Sequence, residues 1–177
     1  MILKTDIYEL ELRKVRLNDK ENIQKYANNY NIWKSMRDEF PRPFTEINAE
    51  EYIYNSMQAN NKYSFVISFK DNLIGDIHIN IQNDILRYSG FLGYWISEIF
   101  WGQGYATECV KTLLNFTITQ NDMNRIFSRV FANNLGSIKV LEKTGFKREG
   151  YFEKAVFKEG TFIDQIQYGF YNDKFTI

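Results

Sequence analysis

The sequence predicts a mixed α/β (α+β) domain, with helices laid on a sheet built from antiparallel hairpins. Three observations predict it. Residues 63–69 and 73–81 flank the turn Asp71-Asn72, and residues 151–157 and 161–170 flank Lys158-Glu159-Gly160, so the chain carries two hairpins. Between them runs the order strand, glycine turn, helix, strand, helix over residues 86–144. The chain has 177 residues, 44% hydrophobic and 25% charged, with no Pro/Gly/Ser-rich linker. Residues 1–177 therefore read as one domain able to bury a core without staples.

Each element has its own signal. Residues 9–16 alternate apolar and polar around Leu10, Leu12 and Val15, with one slip towards Leu17, which predicts a first strand. Asn18 is placed to cap a helix over 19–29, with Asp19 and Glu21 at its positive end. Residues 32–36 form a short helical turn closed by Phe40-Pro41-Arg42-Pro43. Asn48, with Glu51 three residues on, gives a capping-box-like start to a helix ending near residue 59. After the first hairpin, residues 86–97 make a strand rich in Tyr, Phe, Trp and Ile. Trp101-Gly102-Gln103-Gly104 turns into a helix over Tyr105–Gln120, where Ala106, Val110, Leu113 and Thr117 recur at helical spacing. Arg125–Phe131 reads as a buried strand. Asn134 caps a helix over 135–144, which Gly145 can end in a left-handed conformation.

Composition narrows the function. The 22 Lys+Arg cancel the 22 Asp+Glu, so no global field recruits nucleic acid or an acidic membrane. No apolar run approaches the roughly 20 residues of a membrane span. Residues 1–12 mix Lys4, Asp6, Glu9 and Glu11 with apolar side chains, unlike a signal peptide, so a cytoplasmic protein is expected. The single cysteine, Cys109, rules out an internal disulfide framework, and no cluster of ligating side chains suggests a metal.

The turn from Trp101 to Thr107 sits between a strand and a helix. Small residues there let a ligand approach the backbone, and the first N–H groups of the helix can cradle phosphate oxygens. A Walker turn would need Lys then Ser/Thr after its last glycine, and a dinucleotide turn would need glycine where Thr107 stands. Taken alone, the turn is equally a glycine helix start with no ligand.

In context the turn resembles the signature of the GNAT superfamily of acetyl-CoA-dependent N-acetyltransferases, Arg/Gln-x-x-Gly-x-Gly/Ala. Positions 101–106 read Trp-Gly-Gln-Gly-Tyr-Ala, with Trp101 replacing the usual first residue. The chain is most similar to the branch that acetylates the N-termini of ribosomal proteins. That likeness rests on Phe40-Pro41-Arg42-Pro43-Phe44-Thr45, Gly93-Tyr94-Trp95-Ile96, Gly104-Tyr105-Ala106-Thr107-Glu108, Asn134 with Ser137, and the stretch 157–164. The resemblance implies a GNAT-like central mixed, mostly antiparallel sheet flanked by helices. Its central strands, 86–97 and 125–131, would splay apart to admit coenzyme A. Acetyl-CoA would be co-substrate, its pantetheine arm along Tyr94, Ile96 and Ser97. Its pyrophosphate would sit on the N–H groups of Gly102, Gln103, Gly104, Tyr105, Ala106 and Thr107. Asn134 would reach the pantetheine amides and Ser137 the sulfur. The acceptor would enter between 40–45 and Lys158-Glu159-Gly160, and the protein would be a monomer or homodimer.

Amine acetylation needs a neutral amine, an acceptor for its proton and a proton for the departing thiolate. A lysine-like amine is roughly 0.1% neutral near pH 7, a penalty of about 4 kcal/mol, whereas an N-terminal α-amine of pKa about 7.7–8.0 suffers far less. The expected reaction is therefore direct attack by a primary amine, an N-terminal α-amine of a protein or peptide; the resemblance implies a ribosomal protein N-terminus as one such acceptor. A small amine (polyamine, amino acid or antibiotic) and a non-catalytic acyl-CoA-binding module are the alternatives. The second helix offers no tyrosine near Leu141-Glu142, which leaves Ser137 as the candidate acid, or as a helix residue satisfying the backbone. For the base, His78 alternates with Asp76 and Asn80 and reads as part of a solvated face. Glu98 falls towards the phosphate end, Asp164 either lines the substrate mouth or is structural, and Glu108 reads as a helix-start charge. Cys109 shares the apolar helix face and reads as core. Tyr88, Phe91, Tyr94 and Trp95 read as core and acyl-channel lining.

Overall fold

The computed structural model describes residues 1–59 and 61–176; residues 60 and 177 of the expected domain lie outside the described residues. The strands are β1 (Ile2–Lys4), β2 (Leu10–Arg13), β3 (Ser64–Phe69), β4 (Asn72–Ile81), β5 (Ser89–Ile96), β6 (Arg125–Phe131), β7 (Lys147–Lys158) and β8 (Thr161–Tyr171). They form one sheet in the order β1-β2-β3-β4-β5-β6-β8-β7. Neighbours run antiparallel except β5 and β6, which are parallel. The mixed, mostly antiparallel sheet expected from the sequence is present.

Helices cover both faces. On one, α1 (Lys20–Ala27), α2 (Tyr30–Trp33) and α3 (Glu46–Gln58) bury Ile23, Ala27, Ile32, Ala49 and Ile53 against Val66, Leu73 and Trp95. On the other, α4 (Tyr105–Gln120) and α5 (Leu135–Lys143) bury Cys109, Val110, Leu113, Leu114 and Leu141 against Ile77, Ile79, Leu92 and Ile96. Each large aliphatic side chain removed from water contributes about 1.5–3 kcal/mol, and this packing, not propensity, holds a helix as short as α1.

Several local expectations are corrected. The capping box of α3 sits three residues earlier than read: Thr45 is the cap, and Asn48 is the residue that answers it, its side chain accepting the Thr45 N–H at 2.9 Å. Asn18 caps nothing, because it lies in a 3-10 turn, Leu17–Asp19. Asp19 instead accepts the Arg16 N–H at 2.8 Å and a two-pronged bond from buried Arg13 at 2.9 and 2.7 Å. The first strand is shorter than 9–16, and β1 joins it at the sheet edge. The aromatic strand starts at Ser89 after a 3-10 turn, Asp84–Leu86, and β7 starts at Lys147, four residues before the predicted 151. Gly145 does take the left-handed conformation, with φ of 90°.

The feature that positions the site is a fork. β5 and β6 pair only at Ser89↔Arg125, Gly90↔Ile126 and Phe91↔Phe127. Beyond that, β5 runs on to Ile96 beside β4, and β6 runs on to Phe131 beside β8. Ser128 Oγ closes the crotch by donating to the Leu92 carbonyl at 2.9 Å.

Candidate functional site

The β4–β5 register decides what faces the fork. The Ser97 N–H donates to Ile74 O at 2.8 Å and the Gln82 N–H to Ser89 O at 2.9 Å. In an antiparallel ladder this phase sends the backbone groups of Gly93 and Trp95 to β4, and those of Tyr94 and Ile96 into the fork. Among the described residues no strand pairs with them there. The Ile96 carbonyl is taken by the Trp101 indole N–H at 2.8 Å, so Trp101 clamps the strand end to the turn that follows. Ser97 has little left for a ligand: it is buried, its N–H is bonded to Ile74 and its carbonyl to the Phe100 N–H.

The glycine turn is open. Gly102 and Gly104 have φ of 77° and 82°, and a Cβ at either would meet nothing within 4 Å. Gly104 begins α4 with no side-chain cap. The N–H groups of Tyr105, Ala106 and Thr107 are those a helix cannot satisfy itself, and they sit at its positive end. Gln103 braces the turn through its amide, which donates to Ile99 O at 3.0 Å. The Tyr105 ring points inward, with centroids 5.2 Å from Phe69 and 5.9 Å from Phe100, so only its backbone faces the cradle.

On the α4–α5 side of the fork, the Tyr94 hydroxyl lies 2.8 Å from Ser137 Oγ. Burial pushes the Tyr94 phenol up to about 12, and the Ser137 bond offsets part of that rise. Asn134 caps α5, its side-chain oxygen accepting the Ser137 N–H at 3.1 Å. A tyrosine hydroxyl, absent from α5, thus reaches Ser137 from β5, at a residue the sequence marks for its backbone and as channel lining.

On the opposite face stands an arrangement the sequence reading misjudged. Asp76 is buried, not solvated; one oxygen meets His78 Nδ1 at 2.8 Å and the other accepts the Tyr52 hydroxyl from α3. The imidazole crosses onto β5 at Gly93, where a Cβ would lie 2.6 Å from Nε2. The only hint in the sequence is a glycine opposite a histidine, visible once the register is known.

Above this face, two segments meet over the fork. The Phe40 ring packs 6.3 Å from Trp95 of β5. Lys158 lies 3.5 Å from the Trp33 ring centroid and bonds Asp38 at 2.6 Å, while the Tyr30 hydroxyl donates to Glu159 at 2.9 Å. The Arg42 guanidinium stacks over Tyr30 and Trp33 at 4.6 and 5.0 Å. Glu98 accepts both the Asn29 and Asn31 amides at 2.8 Å, which hold its carboxyl below the usual range. Asp164 lines an open depression of about 490 Å³ with Ala132, Asn133 and Phe162, and is bonded by the Tyr151 hydroxyl and the Lys154 N–H. Glu108 lies elsewhere, accepting the Asp6 N–H at 3.2 Å. Cys109 is fully buried, and burial pushes its thiol well above the ordinary value, so it is core.

Comparisons with known proteins bear on the family and the fold. A family model described as an acetyltransferase (GNAT) domain matches residues 9–147. An uncharacterized N-acetyltransferase, p20, of Bacillus licheniformis is 29% identical over 161 residues, covering 88% of each chain. Among solved structures, the ribosomal L7/L12 α-N-protein acetyltransferase RimL in complex with coenzyme A is similar with a TM-score of 0.85 at 20% identity, covering 98% of this chain and 99% of that one. The spermidine N-acetyltransferase of Vibrio cholerae, in complex with CoA and spermine, has a TM-score of 0.79 at 24% identity, covering 96% and 99%.

Proposed function

The chain belongs to the GNAT acetyltransferase family, and from that premise we propose that it moves the acetyl group of acetyl-CoA onto the N-terminal α-amine of a protein or peptide. Acetyl-CoA supplies a thioester whose thiolate is a good leaving group, with a pKa near 8.5. The open cradle at Gly102 and Gly104 and the uncapped start of α4 suit its pyrophosphate. The unpaired backbone of Tyr94 and the N–H of Ile96 suit the amides of its pantetheine arm, and the amide of Asn134 adds a donor beside Ser137.

Ser137 and Tyr94 face the departing sulfur in this reading. With a phenol near 12, full transfer of the Tyr94 proton to a thiolate of about 8.5 would be uphill by ~5 kcal/mol. The pair therefore acts as a hydrogen-bond donor and relay that steadies the negative sulfur until solvent protonates it.

The observation that carries the choice of acceptor is the charge at the mouth. Asp38 is taken by Lys158, Glu98 by Asn29 and Asn31, and Glu159 by Tyr30. Arg42 has no carboxylate partner among the described residues. The cations Lys158 and Arg42 thus nearly balance Asp38, Glu98 and Glu159, and the mouth lacks the strongly acidic field that would favour a polyamine. A peptide N-terminus brings one amine of pKa about 7.7–8.0, which is much easier to neutralise than a lysine side chain.

The test is coenzyme A release with a free N-terminal peptide, the same peptide N-blocked with one lysine, and spermidine. The free peptide is expected to turn over fastest. Preference for spermidine would replace this reading with small-amine acetylation, and turnover with no amine would leave a binding module.

A further inference from the structure

We infer that His78, oriented by Asp76 and Tyr52, takes the proton of the attacking amine on Nε2, from the face of β5 opposite Ser137. The inference rests on the proposed amine acetylation and supplies the group that makes the amine nucleophilic. Nδ1 lies 2.8 Å from Asp76 Oδ1. A carboxylate there accepts, so Nδ1 carries the hydrogen and Nε2 keeps its lone pair. Asp76 is 6% exposed and in mid-strand, where a buried carboxylate is costly. Its partners among the described residues are His78 and the Tyr52 hydroxyl, with no Lys or Arg. A buried carboxylate bonded in this way fixes an imidazole's tautomer and stabilises its charged form.

Nε2 also lies over β5, close to where the fork opens. Gly93 faces the ring, and any Cβ there would press within 2.6 Å of Nε2 and 2.9 Å of Cε1. Gly93 lies two residues past the last β5–β6 pair, next to Tyr94, whose hydroxyl meets Ser137 on the other face. Nε2 has no hydrogen-bond partner among the described residues, and the side chain is 31% exposed, so the ring is not sealed in the core.

As the amine nitrogen bonds the acetyl carbon, one N–H proton passes to His78 Nε2. The C–S bond breaks, its electron pair stays on sulfur, and that sulfur, held by the Tyr94–Ser137 pair, gains its proton from solvent. His78 then returns its proton to solvent. Burial opposes the protonated imidazole, but the hydrogen bond and charge of Asp76 outweigh it, so the pKa of His78 lies above the ordinary histidine value. Asp76 on the same strand and Tyr52 on α3 are the titratable groups against it; Ser64 of β3 and Gly93 of β5, its strand partners, do not titrate. A base tuned upward in this way works where an α-amine is also losing its proton.

His78 is the chain's sole histidine, so its imidazole resonance can be titrated by NMR in the wild type without assignment by mutation. The experiment pairs that titration with the pH dependence of kcat/KM on a free N-terminal peptide, for wild type, His78→Gln and Asp76→Asn. His78→Gln should lower kcat on the order of 100-fold, leave acetyl-CoA affinity and the melting temperature unchanged, and regain rate with a weakly basic amine. Asp76→Asn should lower the NMR pKa and move the ascending limb of kcat/KM with it, which decides the matter even if His78→Gln misfolds. A His78→Gln enzyme with wild-type kcat, or a limb that stays put when the NMR pKa moves, would overturn the assignment of the base. A wild-type protein inactive on every amine would overturn the functional reading instead.

Discussion

The hydroxyl of Tyr94 on β5 meets Ser137 Oγ on the first turn of α5 at 2.8 Å, so two elements on either side of the fork share one hydrogen bond. If that pair steadies the departing sulfur, Tyr94→Phe and Ser137→Ala should each lower kcat about tenfold, the scale of one hydrogen bond to a developing charge. The double variant should fall little further than the worse single, because the two act as a unit. Steady-state kinetics of the cycle check this; fully multiplicative losses would mean independent roles.

Gly104 carries the next prediction. Its φ of 82° costs any other residue roughly 1–2 kcal/mol, and the space a side chain would fill is where the cradle opens. Gly104→Val should still fold, with a modestly lower melting temperature, but lose the thermal upshift that coenzyme A gives the wild type. An unchanged upshift would show that the turn does not hold the cofactor.

Asn134 has two separable halves. Its oxygen caps α5 through the Ser137 N–H, a contact whose loss in Asn134→Ala should cost about 1 kcal/mol of stability. Its NH2 is the half that the proposed function assigns to pantetheine. Asn134→Asp keeps the cap but not that donor, so it should melt like wild type while its acetyl-CoA KM rises roughly fivefold or more. Titration calorimetry and a thermal melt on both variants distinguish the halves.

The sheet's far side supplies a pH prediction. Arg125, together with Tyr171 and Gln167, holds the Glu149 carboxyl down at about 2. A depressed carboxylate contributes stability above its unfolded pKa of about 4.3 and loses it as pH falls through the folded value. The shift bounds the contribution at about 3 kcal/mol, and screening of a partly exposed pair reduces it to ~1. Glu149→Gln should therefore be less stable than wild type at pH 6 and equal to it near pH 2, as denaturant melts at each pH would read.

What the sequence made legible was local. Residues 63–81 alternate around a two-residue turn, and that period fixes a hairpin; the glycine turn and the α5 cap also lie within a few residues of the atoms they serve. His78 was hidden because Asp76, His78 and Asn80 look like a wetted face until α3 brings Tyr52, from 24 residues away in the chain, over Asp76. The backbone of Tyr94 was legible as a pantetheine contact, but its hydroxyl was not, because its partner lies 43 residues away. β1 spans three residues, too few to show a period, and exists through its pairing with β2.

The central claim, that the fork presents acetyl-CoA to an N-terminal α-amine, is tested most directly by one product analysis. A peptide carrying both a free N-terminus and an internal lysine is incubated with the protein and acetyl-CoA, and the acetylated position is read by fragmentation mass spectrometry. The account predicts the acetyl group on the terminal nitrogen, with the lysine unmodified. An acetyl group on the lysine alone, or none on either amine, would contradict it.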